Sequence, residues 1–104
     1  MKYTFRGFDI IGYKWVYGDL VHNKKVTETG LEDRTMVGGY EVDPDSVGMF
    51  TGLYDKHMRP IFEGDTVTFR KEGENILFTT EVRYVYGGFN IGRSNYYEFE
   101  IIEK

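Results

Sequence analysis

Val42-Asp43-Pro44-Asp45-Ser46-Val47-Gly48 stands between two strand-rich stretches, and its reading decides the fold. Asp43 carries a side-chain oxygen suited to cap a helical start, and Pro44 has the φ that the first helical position needs. Gly48 and Gly52 follow closely, and each glycine costs about 1 kcal/mol in a helix interior. The stretch therefore predicts a single helical turn that re-aims the chain. The regular structure outside it reads as strands joined by turns and loops. The chain has no Ala, no Gln and only four Leu, so the best helix formers are scarce, while Tyr, Phe, Val, Thr and Ile abound. Thirteen Gly supply turns and bulges. The fold class that follows is all-β.

The 104 residues suffice for one domain with one modest core, shared by both halves. Residues 1–42 read as a β-meander, residues 43–65 as a connector and residues 66–104 as barrel strands. The meander begins with a strand from Tyr3 to Phe8, a turn at Asp9–Gly12 and a second strand from Tyr13 to His22. In the second strand Tyr13, Trp15 and Tyr17 make one aromatic face. Residues 23–34 are polar and charged and read as a mobile loop. Thr35–Val42 is a third strand, in which Gly38-Gly39 marks a bulge or a close backbone approach.

After the helical turn, Leu53–Arg59 reads as a polar hairpin tip and Glu63-Gly64-Asp65 as a turn. Thr66–Arg70 is a strand with Val67 and Phe69 inward. Ile76–Tyr86 is the longest strand, with Phe78, Val82, Tyr84 and Tyr86 in phase. Gly87-Gly88 is the tightest hairpin signal. Tyr96–Ile102 closes the chain, with Tyr97, Phe99 and Ile101 on one face. Short strands joined by turns are the pattern of a small SH3-like, partly open barrel.

The net charge of −4 is uneven: residues 1–41 are balanced, residues 42–69 carry −3 and residues 70–104 carry −1. No basic tract offers a footprint for duplex DNA. Without Cys there is neither a disulfide framework nor a thiolate metal site. No apolar run approaches the roughly 20 residues of a membrane helix, and Met1–Arg6 lacks the apolar core of a signal peptide. A soluble, cytoplasmic protein with no membrane partner is the expectation.

Several spaced blocks carry a resemblance. They are Phe5-Arg6-Gly7-Phe8-Asp9, Trp15-Val16-Tyr17-Gly18-Asp19-Leu20, Val42–Gly48 with Phe50-Thr51-Gly52-Leu53, and Ile61-Phe62-Glu63-Gly64-Asp65-Thr66-Val67. In order and spacing they resemble the YopX family of phage and prophage proteins over residues 5 to 67. Two positions depart from its pattern. Lys56-His57-Met58-Arg59-Pro60 replaces the family's Asn-Gly turn after Asp55, and Met49 stands where a polar residue is common. The resemblance implies a phage or prophage origin, hence a bacterial host cell, and a mostly β fold. It implies no activity.

Catalytic chemistry has few carriers. Ser46 and Ser94 are the only serines and neither lies in a Gly-x-Ser-x-Gly elbow. His22 and His57 have no metal-ligand spacing around them and read as surface histidines. Asp43, Asp45, Asp55, Glu63 and Asp65 flank one segment; if their loops converge they have the oxygen ligands for a hard cation or an acid–base pair. The structural reading makes Asp43 a cap, Glu63 and Asp65 turn residues, and Asp45 and Asp55 solvated. Arg70, Arg83, Arg93 and Tyr96 are the candidate nucleic-acid contacts, since small barrels stack bases on rings beside basic side chains. Tyr84, Tyr86, Tyr97 and Phe99 share the core phase, and Glu81, Glu98 and Glu100 oppose nucleic acid.

The expected function is therefore a non-enzymatic phage or prophage accessory protein without cofactor or resident metal. It acts on a protein partner, or on itself, through strand edges, residues 23–34 or aromatic surface. A nucleic-acid-binding barrel is the alternative, and a metal-dependent enzyme using the loop carboxylates ranks last.

Overall fold

The computed structural model describes residues 4–71, 73, 75–91 and 97–103. Its elements are β1 (Phe5–Asp9), β2 (Lys14–Gly18), β3 (Leu20–Thr27), β4 (Gly30–Val37), β5 (Tyr40–Glu41), a 3-10 turn (Pro44–Ser46), β6 (Gly48–Tyr54), β7 (Pro60–Phe62), β8 (Thr66–Lys71), β9 (Leu77–Glu81), β10 (Tyr84–Val85), β11 (Gly88–Phe89) and β12 (Tyr97–Glu103). The fold is all-β, as its composition predicts, and the 3-10 turn is the one helical element among the described residues. The chain divides into two compact units, residues 1–49 and 50–104. Among the described residues, nine of the ten buried apolar side chains fall into two clusters, one within each unit, where one shared core was expected; Phe62 belongs to neither.

In the first unit β1 and β2 form a hairpin, from Phe5 opposite Gly18 to Asp9 opposite Lys14. Asp9 fixes its tip: one carboxylate oxygen accepts from the Ile11 and Gly12 amides, both at 3.0 Å. The expected strand Tyr13–His22 is broken. Tyr13 lies in the turn at φ 54, and Gly18, at φ 144, lets the chain leave β2 and start β3. Val16, not the aromatic face, enters the core, with Val37 and Val42 and the flanking Phe5, Leu20 and Val47. Trp15 instead packs edge-on against Phe8 at 5.3 Å, and the buried Arg6 guanidinium lies 4.4 Å from its ring centre.

Residues 23–34 are not a loop. They are most of a long hairpin, β3 against β4, paired at eight positions from Leu20–Val37 to Thr27–Gly30. Apolar alternation is weak here, so its polar content concealed the strands. The pairing is held by opposite partners across the ladder: Lys24 meets Asp33 at 2.7 Å, and Arg34 Nε donates to Asn23 at 2.6 Å. Val37 and Tyr40 then close a two-residue turn in which Gly38 and Gly39 both have positive φ, 59 and 88. The expected close approach is also present, since a Cβ on Gly38 would lie 2.3 Å from the Tyr17 carbonyl oxygen.

The 3-10 turn follows the sequence closely. Asp43 accepts from the Asp45 amide at 3.0 Å and Pro44 holds the first position. Ser46 Oγ donates to the Asp43 carbonyl at 2.6 Å and accepts from the Phe8 amide at 2.7 Å, tying the turn to β1.

The second unit is a partly open barrel of short strands. β8 is central, with β12 on one side and β9 on the other. Val67, Phe99 and Ile101 point inward as their alternation requires, joined by Ile61, Val82 and Ile91. The turn at residues 63–65 is built on Asp65, which is fully buried and accepts from the Phe62 amide at 2.9 Å. Backbone bonds Gly64–Val82 and Val82–Asp65 then dock that turn on the end of β9.

Those bonds also interrupt the predicted strand Ile76–Tyr86. Val82 is buried, but β10 starts a new hairpin and carries Tyr84 and Tyr86 out of the core. Tyr86 and Gly87, at φ 48 and 82, are its two turn residues, one position earlier than the Gly-Gly pair implied.

The tip between β6 and β7 shows how this chain replaces an Asn-Gly turn. Met58 occupies the left-handed position at φ 62 with its side chain in solvent. A non-glycine residue there costs roughly 1–2 kcal/mol, partly offset in a glycine variant by unfolded-state entropy. Met58→Gly is expected to raise stability by about 0.5–1 kcal/mol. Urea unfolding of both proteins checks this; an unchanged or lower midpoint would contradict it.

Candidate functional site

The β3–β4 hairpin has two faces. Alternation puts Leu20, His22, Lys24 and Val26 on one, opposite Val37, Thr35, Asp33 and Leu31. At the base this face is core, because Val37 and Thr35 are buried and Leu20 packs beside them. Further along the same face turns polar and then apolar again, ending in the exposed Val26–Leu31 pair, 83% and 67% accessible. A face normally buried along its whole length here leaves the core after two residue pairs.

A groove of about 430 Å³ lies along this stretch, lined by His22, Lys24, Asp33 and Thr35 of this face, by Asn23 and Arg34 of the other, and by Pro44 of the 3-10 turn. Its polar groups are mutually arranged. Thr35 Oγ1 lies 3.4 Å from His22 Nδ1. Lys24 hydrogen-bonds Asp33, and this bond together with the lysine charge holds the Asp33 carboxyl below its ordinary value, against a smaller opposing effect of burial. Beyond the groove Lys25 bonds Glu41 at 3.0 Å. The groove thus offers two cations, one carboxylate and an imidazole beside an apolar tip.

The residues singled out from sequence fall elsewhere. Arg70 donates to the Asn75 carbonyl at 2.5 Å, and Arg83 pairs with Glu81. Arg70 faces Leu77 across the ladder, whereas Glu81 faces Thr66, four residues away along β8. At roughly 3.3 Å per residue the two arginines sit near opposite ends of that ladder. Arg93 and Tyr96 lie outside the described residues, as does Ser94.

The expected carboxylates have different surroundings, and Glu63 is half-buried in the turn at residues 63–65. Asp43 caps, Asp45 is exposed and Asp65 supports its turn. Asp55 corrects the expectation of a solvated side chain. It is buried and accepts from the backbone amides of His57 and Arg59 at 2.9 Å and of Ile101 at 3.2 Å, and from Arg59 Nε at 2.9 Å. Burial raises its pKa, but the bonds from Arg59, Ile101 and His57 together outweigh burial and hold the carboxyl below its ordinary value of 3.8. Among the described residues no three His, Asp or Glu gather to hold a metal ion. His57 contacts Glu100 at 3.1 Å, at the surface.

Sequence reasoning missed His22 and Thr35 as a pair, and treated Lys24, Asp33 and Arg34 as loop. The signal available was the Leu20/Val26 and Leu31/Val37 spacing on either side of Glu28-Thr29-Gly30, which alternates correctly for a hairpin.

No helix among the described residues is long and apolar enough to cross a membrane. Comparison with curated proteins and with solved structures finds no match. A family model does match: that of the YopX protein covers residues 4–101, the region holding both units' cores and the hairpin groove, and this chain belongs to the YopX family.

Proposed function

We propose that this chain is a non-enzymatic phage or prophage accessory protein, acting in the cytoplasm of the bacterial host by binding a protein partner through the β3–β4 hairpin. The observation that supports this reading is the hairpin itself. Its core face continues past the core to two exposed aliphatic side chains, Val26 and Leu31, and the same hairpin carries a charged groove. Aliphatic anchors beside a polar rim are how protein interfaces concentrate their energy.

The serine and histidine contacts support a binding role over catalysis. Ser46 is held between two backbone groups, and His22 and His57 contact Thr35 and Glu100. The nucleic-acid reading has less support, because Arg83 is paired with Glu81 and stands apart from Arg70.

The test uses the double variant Val26→Asp with Leu31→Asp. Both side chains are exposed, so its circular dichroism and melting temperature should match the parent's. Affinity capture from phage-producing cells should recover a defined protein with the parent. Recovery with the variant should fall by roughly 30-fold or more, the loss of about 2 kcal/mol expected for anchor residues. Equal recovery by both proteins would remove the hairpin from the interaction.

A further inference from the structure

We propose that the outer edge of β9 pairs with the same edge of a second copy of this chain, forming a two-fold antiparallel strand dimer. β9 is the last strand of the β12–β8–β9 sheet, and among the described residues no strand pairs with its outer side. An open edge is a row of amides and carbonyls whose natural partner is another strand. Asn90 limits the row at one end: its Nδ2 donates to the Glu81 carbonyl at 2.8 Å and its Oδ1 accepts from the Arg83 amide at 3.0 Å. Among the described residues, the stretch left open runs along Ile76–Thr80.

Side chains on this stretch lack the features that keep edges apart. It has no charge, no proline and no irregularity in its register with β8. Ile76, Leu77 and Phe78 are all exposed, at 62%, 57% and 39%. The longest edge strand among the described residues, β3, is guarded: Lys24 and Lys25 would face one another in a two-fold pairing centred on them.

A second copy is the occupant that this edge specifies. In any two-fold register confined to Ile76–Thr80, uncharged residues face uncharged residues. One contact satisfies both open rows at once and leaves neither edge available for further growth, the closed arrangement of an isologous dimer. The contact uses none of the residues that line the hairpin groove, so it stands or falls independently of the partner proposed there.

Sedimentation equilibrium over a roughly hundred-fold range of micromolar concentration tests the proposal. The parent should shift from its 12.2 kDa monomer toward twice that mass. Leu77→Lys combined with Thr79→Lys places charges on two exposed positions and should stay monomeric at every concentration. The Val26→Asp, Leu31→Asp protein should dimerise like the parent. Amide exchange of the parent at low and high concentration should show added protection in residues 76–80, a readout that serves even if the lysine variant does not fold. A parent that remains monomeric, a folded lysine variant that dimerises equally, or added protection in β3 instead of β9 would each overturn the proposal.

Discussion

Asp55→Ala is expected to lose about 3–5 kcal/mol of stability, a large part of the roughly 5–15 kcal/mol that holds a domain of this size. The carboxylate gathers four donors in one place: three backbone amides and the Arg59 side chain. Two of the amides belong to the β6–β7 tip and the third to Ile101 in β12, so one side chain closes the tip and docks it on the barrel. Removing it leaves the Ile101 amide buried without its partner, and Arg59, itself half exposed, turns to water. Urea unfolding of parent and variant measures the loss.

The same site has an acid signature with a definite sign. The folded carboxyl titrates below its ordinary value of 3.8. Its contribution is therefore complete above that value and is lost as pH falls through the lower, folded value. Asp55→Asn cannot ionise, so its stability should be less than the parent's near neutrality and the gap should close below about pH 4. A constant gap from pH 7 to pH 3 would show that ionisation of Asp55 contributes nothing.

Gly38→Ala is the second large effect, in the first unit, at about 2–5 kcal/mol destabilising. Two costs combine. The residue has φ 59, where a Cβ is disfavoured by roughly 1–2 kcal/mol. The added Cβ would also meet the Tyr17 carbonyl oxygen at 2.3 Å, a backbone atom that cannot rotate away. Gly39→Ala is the control. It shares the positive φ, at 88, but has open space around the new Cβ, so only the first cost applies. Thermal melts of the two variants separate the terms; equal losses would mean that β2 shifts freely to make room.

These two positions show where sequence reasoning reached and where it stopped. Gly38-Gly39 announced a special backbone, because consecutive glycines inside a strand pattern have few other uses. Which backbone approached it, Tyr17 to Gly18 at the end of β2, depended on how two hairpins stack. Asp55 read as a solvated acid in a polar tip. Its burial arises from Ile101, 46 positions away, whose amide reaches it only once β12 is in place. The hairpin at residues 20–37 escaped for a related reason. Its strands are held by charged and polar pairs across the ladder, and those pairs interrupt the apolar alternation between Leu20 and Val26 and between Leu31 and Val37.

Local chemistry was written plainly in the chain. The absence of alanine and glutamine, with abundant β-branched and aromatic residues, set an all-β fold. Asp43-Pro44 set the 3-10 turn, Gly64-Asp65 set the turn into β8, and alternation set Val67, Phe99 and Ile101 inward. Each of these depends on a residue's own backbone preference or on neighbours within a few positions. Long-range assembly decided the rest. Whether Tyr84 and Tyr86 faced core or solvent, whether Asp55 was wet or buried, and whether Ile76–Thr80 remained an open edge among the described residues all turned on which strand lay alongside. A strand's pattern fixes its two faces, but whether a face or an edge is covered depends on a partner brought from elsewhere in the chain.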